Sequence, residues 1–453
     1  MDFSTIGQTG LAEELAQLFS KHITTYITEH PEANIGDVEE LMRHELQAIG
    51  RRSMEMALTA SDVRQPEVTC ACGGAATYLF RRQAQIITVF GKVNYRRSYH
   101  VCSCGQGIAP LDQRLKLEPG QVNRGLAPLL ALLGVQTSFD EARRLAQQLL
   151  LLDISDNSIR KATQAMGEVQ KELETQWKQQ SQSALFLRQQ SRQKRRAPKR
   201  LYGSIDGTQV PVGKEWRELK VGCWYRVDPL PQRQWPSRFK QRVGQLETLK
   251  ATNIDYYCDI IEADDFSELF WATGCQRLAD RAEEVVFVAD GAKWIWRLVG
   301  ENFPHAVQIL DWYHAVEYLT PIAHALFSDD EKQKAWVAEM ETDLWFSRTQ
   351  TVIDACLELC EHPQAGDSAN AAVTYYSNNL ERMDYVYFRK MGYLIGSGTI
   401  ESGCKQIGTM RLKRSGAHWT ETGARLVAKA RAVWLSGHWD SLANRYRQLP
   451  LAS

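Results

Sequence analysis

The 453-residue sequence lacks any unbroken apolar run approaching the roughly 18 residues that a membrane-crossing helix requires. Its opening residues, Met1-Asp2-Phe3-Ser4-Thr5, lack the basic and apolar regions of a secretory leader, so no membrane partner and a cytoplasmic location are expected. It lacks an excess of charge of either sign: 54 Lys and Arg balance 54 Asp and Glu. Binding to a polyanion would therefore depend on local patches and not on the whole-chain sum. It also lacks internal repeats and long low-complexity tracts. What remains is an ordinary globular composition, 44% hydrophobic and 24% charged, in a chain long enough for about two to four domains.

Ten cysteines in a chain without a secretory leader argue against a disulfide scaffold. Cys223, Cys258, Cys275, Cys356, Cys360 and Cys404 are scattered through apolar or helical segments and read as core thiols. The other four come in two matched groups, Cys70-Ala71-Cys72-Gly73 and Cys102-Ser103-Cys104-Gly105. Strand-like runs, Thr77–Phe80 and Ile86–Phe90, lie between them, with Gly91-Lys92 read as a turn. Two Cys pairs, each ending in Gly, on a hairpin resemble the knuckles of a zinc ribbon, where four thiolates take a tetrahedral ion and Gly lets the backbone turn beneath it. The one-residue spacer is shorter than the commoner two. Structural zinc on Cys70, Cys72, Cys102 and Cys104 is the expectation.

The pattern divides the chain into an N-terminal helical region (1–64), the zinc-ribbon-like module (65–110), a helical region (111–180), a basic linker (181–200), a mixed β/α segment (201–313), a helical insertion (314–395) and closing helices (396–453). Within 111–180, Ser138 to Glu141 fits a capping box, and a short turn at Asp153 to Ser155 leads into a second helix. Such a pair resembles a helix-turn-helix that would present Asn157, Arg160 and Lys161 to DNA, although many helix pairs of this kind only pack a core. The linker carries Lys194, Arg195 and Arg196 among other bases and no acid from Arg188 to Arg200, so it could track a phosphate backbone or simply be solvated. A second basic stretch follows residue 401 and includes Lys413 and Arg414, which with His418 could contact phosphates near Glu401.

Three acidic residues carry the chemical signal. Asp206 and Asp290 close apolar runs of strand length, Leu201–Asp206 and Val285–Asp290, and Glu401 opens a Gly-flanked helix. Either Asp-Gly pair alone could be a turn, and a first-turn glutamate could be mere dipole complementarity. Together they suit two divalent ions held about 4 Å apart for phosphoryl transfer. The intervening order of strands and helices, β-β-β-α-β-α-β, matches an RNase H-like core. Asp311 and His314 follow the last strand; His314 could meet a metal-bound water or the scissile phosphate, or only cap the next helix, and Asp311 could be an extra Mg²⁺ ligand.

Four motifs in order, SIDGTQVPV at 204–212, VVFVADGAKWIW at 285–296, ILDWYHAVEYL at 309–319 and GSGTIESGCKQIGTMRLKRSGAHW at 396–419, resemble bacterial insertion-sequence transposases of the DDE class, in the Mutator-like branch and most like the Kra-type group. The resemblance implies a multidomain α+β chain whose RNase H-like (retroviral integrase-like) core carries a helical insertion. It implies cleavage and strand transfer at terminal inverted repeats, using two Mg²⁺ or Mn²⁺ ions on Asp206, Asp290 and Glu401. The family's signature after the second aspartate maps onto Asp311 and His314. DNA ends, target DNA and further copies of the chain in a paired-end complex, associated with the nucleoid, would be the partners. Two other readings stand beside it: an inactive, transposase-derived DNA-binding regulator, and a different RNase H-like nuclease.

Overall fold

The computed structural model describes residues 10–183, 186, 187, 189, 196–230 and 248–450. Lys194 and Arg195 lie outside the described residues. The chain is mixed α+β and divides into two compact units, each discontinuous in sequence: Met1–Leu129 with Asp140–Ser158 and Leu449–Ser453, and Leu130–Phe139 with Ile159–Gln448. Among the described residues, no helix is long and apolar enough to cross a membrane.

In the first unit, the helices Gly10–Glu29 and Ile35–Ala60 are separated by a capping box. Asn34 accepts from the Asp37 amide, and the Asp37 carboxylate accepts from the Asn34 amide. A four-stranded antiparallel sheet follows in the order β1 (Glu67–Thr69), β2 (Ala75–Thr88), β3 (Gly91–Cys102), β4 (Gly107–Ile108). The two short runs expected from sequence fall on one continuous strand, β2, and the chain reverses at Val89-Phe90, two residues before Gly91-Lys92. At the turn end of the ribbon, Ala84 and Ile86 on β2 and Val93 and Tyr95 on β3 turn inward against Leu58 and Leu111, whereas residues 79–83 are exposed on both faces.

The second unit is built on a five-stranded sheet, β5 (Arg200–Val212), β6 (Glu215–Pro229), β7 (Leu249–Asp259), β8 (Glu284–Ala289) and β9 (Val307–Leu310), in the order β7-β6-β5-β8-β9. Strands β5 to β7 form an antiparallel meander, whereas β5, β8 and β9 run parallel. The helices Ala263–Gln276 and Lys293–Asn302 make the crossovers. Trp224, Phe270, Phe287 and Phe303 meet in a cluster of edge-to-face and stacked rings, which ties both crossovers to the sheet.

Sequence reading placed Asp206 at a strand end. It lies mid-strand, opposite Val221 of β6, and the hairpin turn comes later, at Gly213-Lys214. The parallel half of β5 ends near Gly203 while its antiparallel half continues, so Asp206 sits where β5 outlives its neighbour β8. Helices between Trp312 and Lys390 follow β9, burying Trp345, Tyr376 and Tyr385 in the same core.

Candidate active site and cysteine cluster

Strand register brings the acidic residues together. Gly203 pairs with Phe287, so Asp206 and Asp290 each lie three residues beyond a matched pair. Ala289 pairs with Leu310, so Asp290 and Asp311 each lie one residue beyond another. The three aspartates therefore stand at one level across three neighbouring parallel strands. Glu401 arrives on the helix Gly398–Cys404. Ser397 links it to the sheet: its backbone N–H donates to Asp311 Oδ1 at 2.5 Å and its hydroxyl donates to Glu401 Oε1 at 2.6 Å.

Asp311, His314 and Glu401 each offer a ligand atom within 4.8 Å of the others. The tight cluster thus contains two residues that sequence reading ranked behind Asp206 and Asp290, which lie outside it. Both nevertheless face the same imidazole. Burial raises the Asp206 and Asp290 carboxyls above the usual range, and in each case the charge of His314 opposes that rise. His314 itself is raised to about 9, chiefly by its hydrogen bond to Asp311, and also by the charges of Glu317 and Glu401. One imidazole therefore interacts with five carboxyl groups, those of Asp206, Asp290, Asp311, Glu317 and Glu401.

Each aspartate is also held locally. The Gly207 amide donates to Asp206 Oδ1 at 2.6 Å, and the Ala292 amide donates to Asp290 Oδ1 at 3.0 Å. A Cβ on Gly207 would lie 2.2 Å from Glu218 Oε1, so a larger residue there would have to displace that carboxylate.

Sequence reading missed three residues here. Ser397 carried no motif of its own. Cys404, read as a core thiol, is buried with its thiol against the Asp206 carboxyl; the signal was its place three residues after Glu401, on the same helical face. Tyr256 on edge strand β7 donates its hydroxyl to the Thr399 carbonyl at 3.1 Å, and its ring lies where a Cβ on Gly403 would come within 2.6 Å. No local pattern marks that long-range contact.

Beyond Cys404 the helix widens into π-helical turns over Lys405–Leu412, a geometry that recurs at functional sites. It delivers Lys413, whose ammonium donates to Thr208 Oγ1 at 2.9 Å, two residues along from Asp206. The second basic stretch is otherwise not one solvent-facing patch: Arg411, Lys429 and Arg431 are buried. Arg411, Arg414 and Arg431 donate to the carbonyls of Gly134, Gln136 and Val135 respectively, at the carboxyl end of the helix Ala127–Gln136, where cations complement the helix dipole. Arg160 donates to Gln164 Oε1 at 3.0 Å, while Lys161 and Arg196 are exposed.

In the first unit the four cysteine sulfurs lie within 4.8 Å of one another, with Cys70 and Cys104 3.7 Å apart and Cys72 and Cys102 3.6 Å apart. The two knuckles repeat one hydrogen-bond scheme. The Gly73 amide donates to Cys70 O and the Gly105 amide to Cys102 O, both at 2.9 Å, with both glycines at positive φ (83° and 86°). The Cys104 amide pulls the Cys102 thiol down to about 6. The Gln106 amide pulls on Cys104 too, but the three neighbouring sulfurs outweigh it and raise that thiol to about 12. Four sulfurs this crowded cannot all ionise without a cation, and the set fits a structural zinc ion.

No protein-family model matches this sequence, the Kra-type group included, and no curated protein sequence matches it. Among solved structures, the chain is similar to the Drosophila P element transposase strand transfer complex, at 11% identity over 75% of this chain and 84% of that one, with a TM-score of 0.23. A likeness this slight does not establish a shared fold or activity.

Proposed function

We propose that this protein is a metal-dependent DNA-processing enzyme of the DDE transposase type, which cuts at the terminal inverted repeats of a mobile element and joins the freed ends to target DNA. The observation that carries the reading is the alignment of Asp206, Asp290 and Asp311 at one level of three parallel strands, with Glu401 added by a later helix. The sheet order, an antiparallel meander continued by two parallel strands, supports an RNase H-like core.

The donor set suits hard divalent cations. It is all oxygen apart from one imidazole, and its carboxylates outnumber the single imidazolium that faces them. Asp206, Asp290 and Glu401 would hold two Mg²⁺ or Mn²⁺ ions, which when bound would activate the attacking hydroxyl and stabilise the leaving 3′-oxygen. The chain's own groups do the rest. Ser397 fixes the Glu401 carboxylate, and Asp311 holds a proton on His314 Nδ1, which leaves Nε2 to donate to a phosphate oxygen. No covalent protein–DNA intermediate is required. The cysteine cluster would hold one structural zinc in the N-terminal unit, and pairing two DNA ends requires more than one copy of the chain.

The test uses linear DNA bearing the inverted repeats that flank the coding region, with Mg²⁺ or Mn²⁺, comparing wild type with Asp290→Asn. Nicking at the 3′ ends by wild type alone supports the proposal. Tight end-binding without cleavage under either metal would replace it with the regulator reading, and cleavage indifferent to the repeats would replace it with a general nuclease.

A further inference from the structure

A groove of about 840 Å³ opens beside the carboxylates, between the helices Lys293–Asn302 and Gly366–Asn379. Gly291, next in sequence to Asp290, is part of its lining, and a Cβ there would lie 2.2 Å from the Tyr375 ring. The groove therefore reaches the residue next to Asp290.

Its lining contains no carboxylate, although the chain as a whole is neutral. It contains three cations, Lys293, Arg297 and Arg382. Arg297 is paired with Asp264 and Glu301. Among the described residues, Lys293 and Arg382 have no carboxylate partner. Arg382 instead lies over the Trp296 ring and donates only to neutral oxygens, those of Gln308, Asn378 and Asn379. Partial burial draws its pKa down, against the opposing charge of the neighbouring Glu381. Along the facing helix, Asn370, Thr374 and Asn378 recur every four residues and form a ridge of neutral hydrogen-bonding groups. Unpaired cations, uncharged donors and no acid describe a surface for a polyanion that must slide along it.

We propose that this groove holds the sugar–phosphate backbone of the nucleic-acid strand entering the site, with Lys293 and Arg382 as phosphate contacts and the Asn370–Asn378 ridge as its neutral wall. This inference rests on the nucleic-acid reading of the site. It adds a strand path between the crossover helix Lys293–Asn302 and the helices that follow β9, where sequence reading looked for DNA contacts in the N-terminal half, the basic linker and the stretch with Lys413 and Arg414.

The test measures binding of a fluorescent oligothymidylate to the full chain by anisotropy, in EDTA so that cleavage plays no part, over a series of salt concentrations. Lys293 and Thr374 are exposed, so the double variant Lys293→Gln/Thr374→Glu leaves the core intact; Lys334→Glu, on the exposed face of another helix, makes the same change in net charge. The expected result is binding weakened by about tenfold or more in the double variant. Its salt dependence should also be shallower by about 0.7 for each phosphate that the variant no longer neutralises. The Lys334→Glu control should behave as wild type. Unchanged binding by the double variant would overturn the groove and leave the nucleic-acid reading standing. Failure of the wild type to bind any oligonucleotide would overturn both. Binding that depends on the groove in a protein that never cuts would uphold the groove and remove the catalytic reading alone.

Discussion

Asp311 and His314 meet twice on a single oxygen: the backbone N–H of His314 at 2.7 Å and its Nδ1 at 2.8 Å both end on Asp311 Oδ2. The first contact caps the helix Trp312–Glu317, and the second fixes the imidazole. Capping and site chemistry, which looked like rival explanations in the sequence, are performed by the same carboxylate. Asp311 is fully buried, so this pair is shielded from solvent on the aspartate side.

That pairing makes stability depend on pH. His314 titrates near 9 in the folded chain, against about 6.5 in an unfolded one. A raised value means that the folded state holds the proton more tightly. The stabilisation is therefore complete below about pH 6.5 and is lost as pH rises through about 9. In EDTA, the urea midpoint of wild type should fall further between these pH values than that of His314→Gln. Parallel falls would show that the ion pair contributes nothing.

Ser397 should matter out of proportion to its size. Ser397→Ala removes the hydroxyl that orients Glu401 but keeps the amide bonded to Asp311. By the behaviour of residues that support metal ligands, a loss of roughly 10–100-fold in Mg²⁺ affinity or cleavage rate is expected. The global melting temperature should hardly move. A variant with wild-type metal dependence would remove Ser397 from the site.

Purified protein should carry about one zinc per chain, measured by elemental analysis, and Cys72→Ser should abolish it. Cys72 is exposed and outside the apolar core, so loss of metal should not be mistaken for loss of the second unit's fold. A metal-free wild type that stays folded would contradict the ribbon.

Lys429 is a separate test of the second unit's interior. Its buried ammonium donates to Glu174 Oε2 at 2.5 Å and to the Cys258 carbonyl at 3.0 Å, and pairs with Asp259 Oδ2 at 2.9 Å. Lys429→Met would leave the buried Glu174 carboxylate with only the Gln170 amide, while Asp259 keeps its ion pair with Arg425, and should cost about 3–5 kcal/mol in urea unfolding. A cost below about 1 kcal/mol would mean that the carboxylates find other partners.

Much of this was legible before folding, because some features depend only on neighbours in the chain. The C-x-C-G repeats dictate their knuckles: two thiols one residue apart and a glycine free to take positive φ leave the backbone little alternative. The apolar runs ending in Asp290 and Asp311 likewise declared strand ends. Other features were settled only by the tertiary structure. Sequence could not tell that Asp206 lies mid-strand, since that depends on β8 stopping where β6 continues. Nor could it distinguish Arg411, Lys429 and Arg431, buried among carbonyls and carboxylates, from the exposed basic residues beside them. Charge is written in the chain, but solvation is not. Whether a cation meets water, a helix end or a substrate depends on residues far away in sequence that only the folded chain brings near.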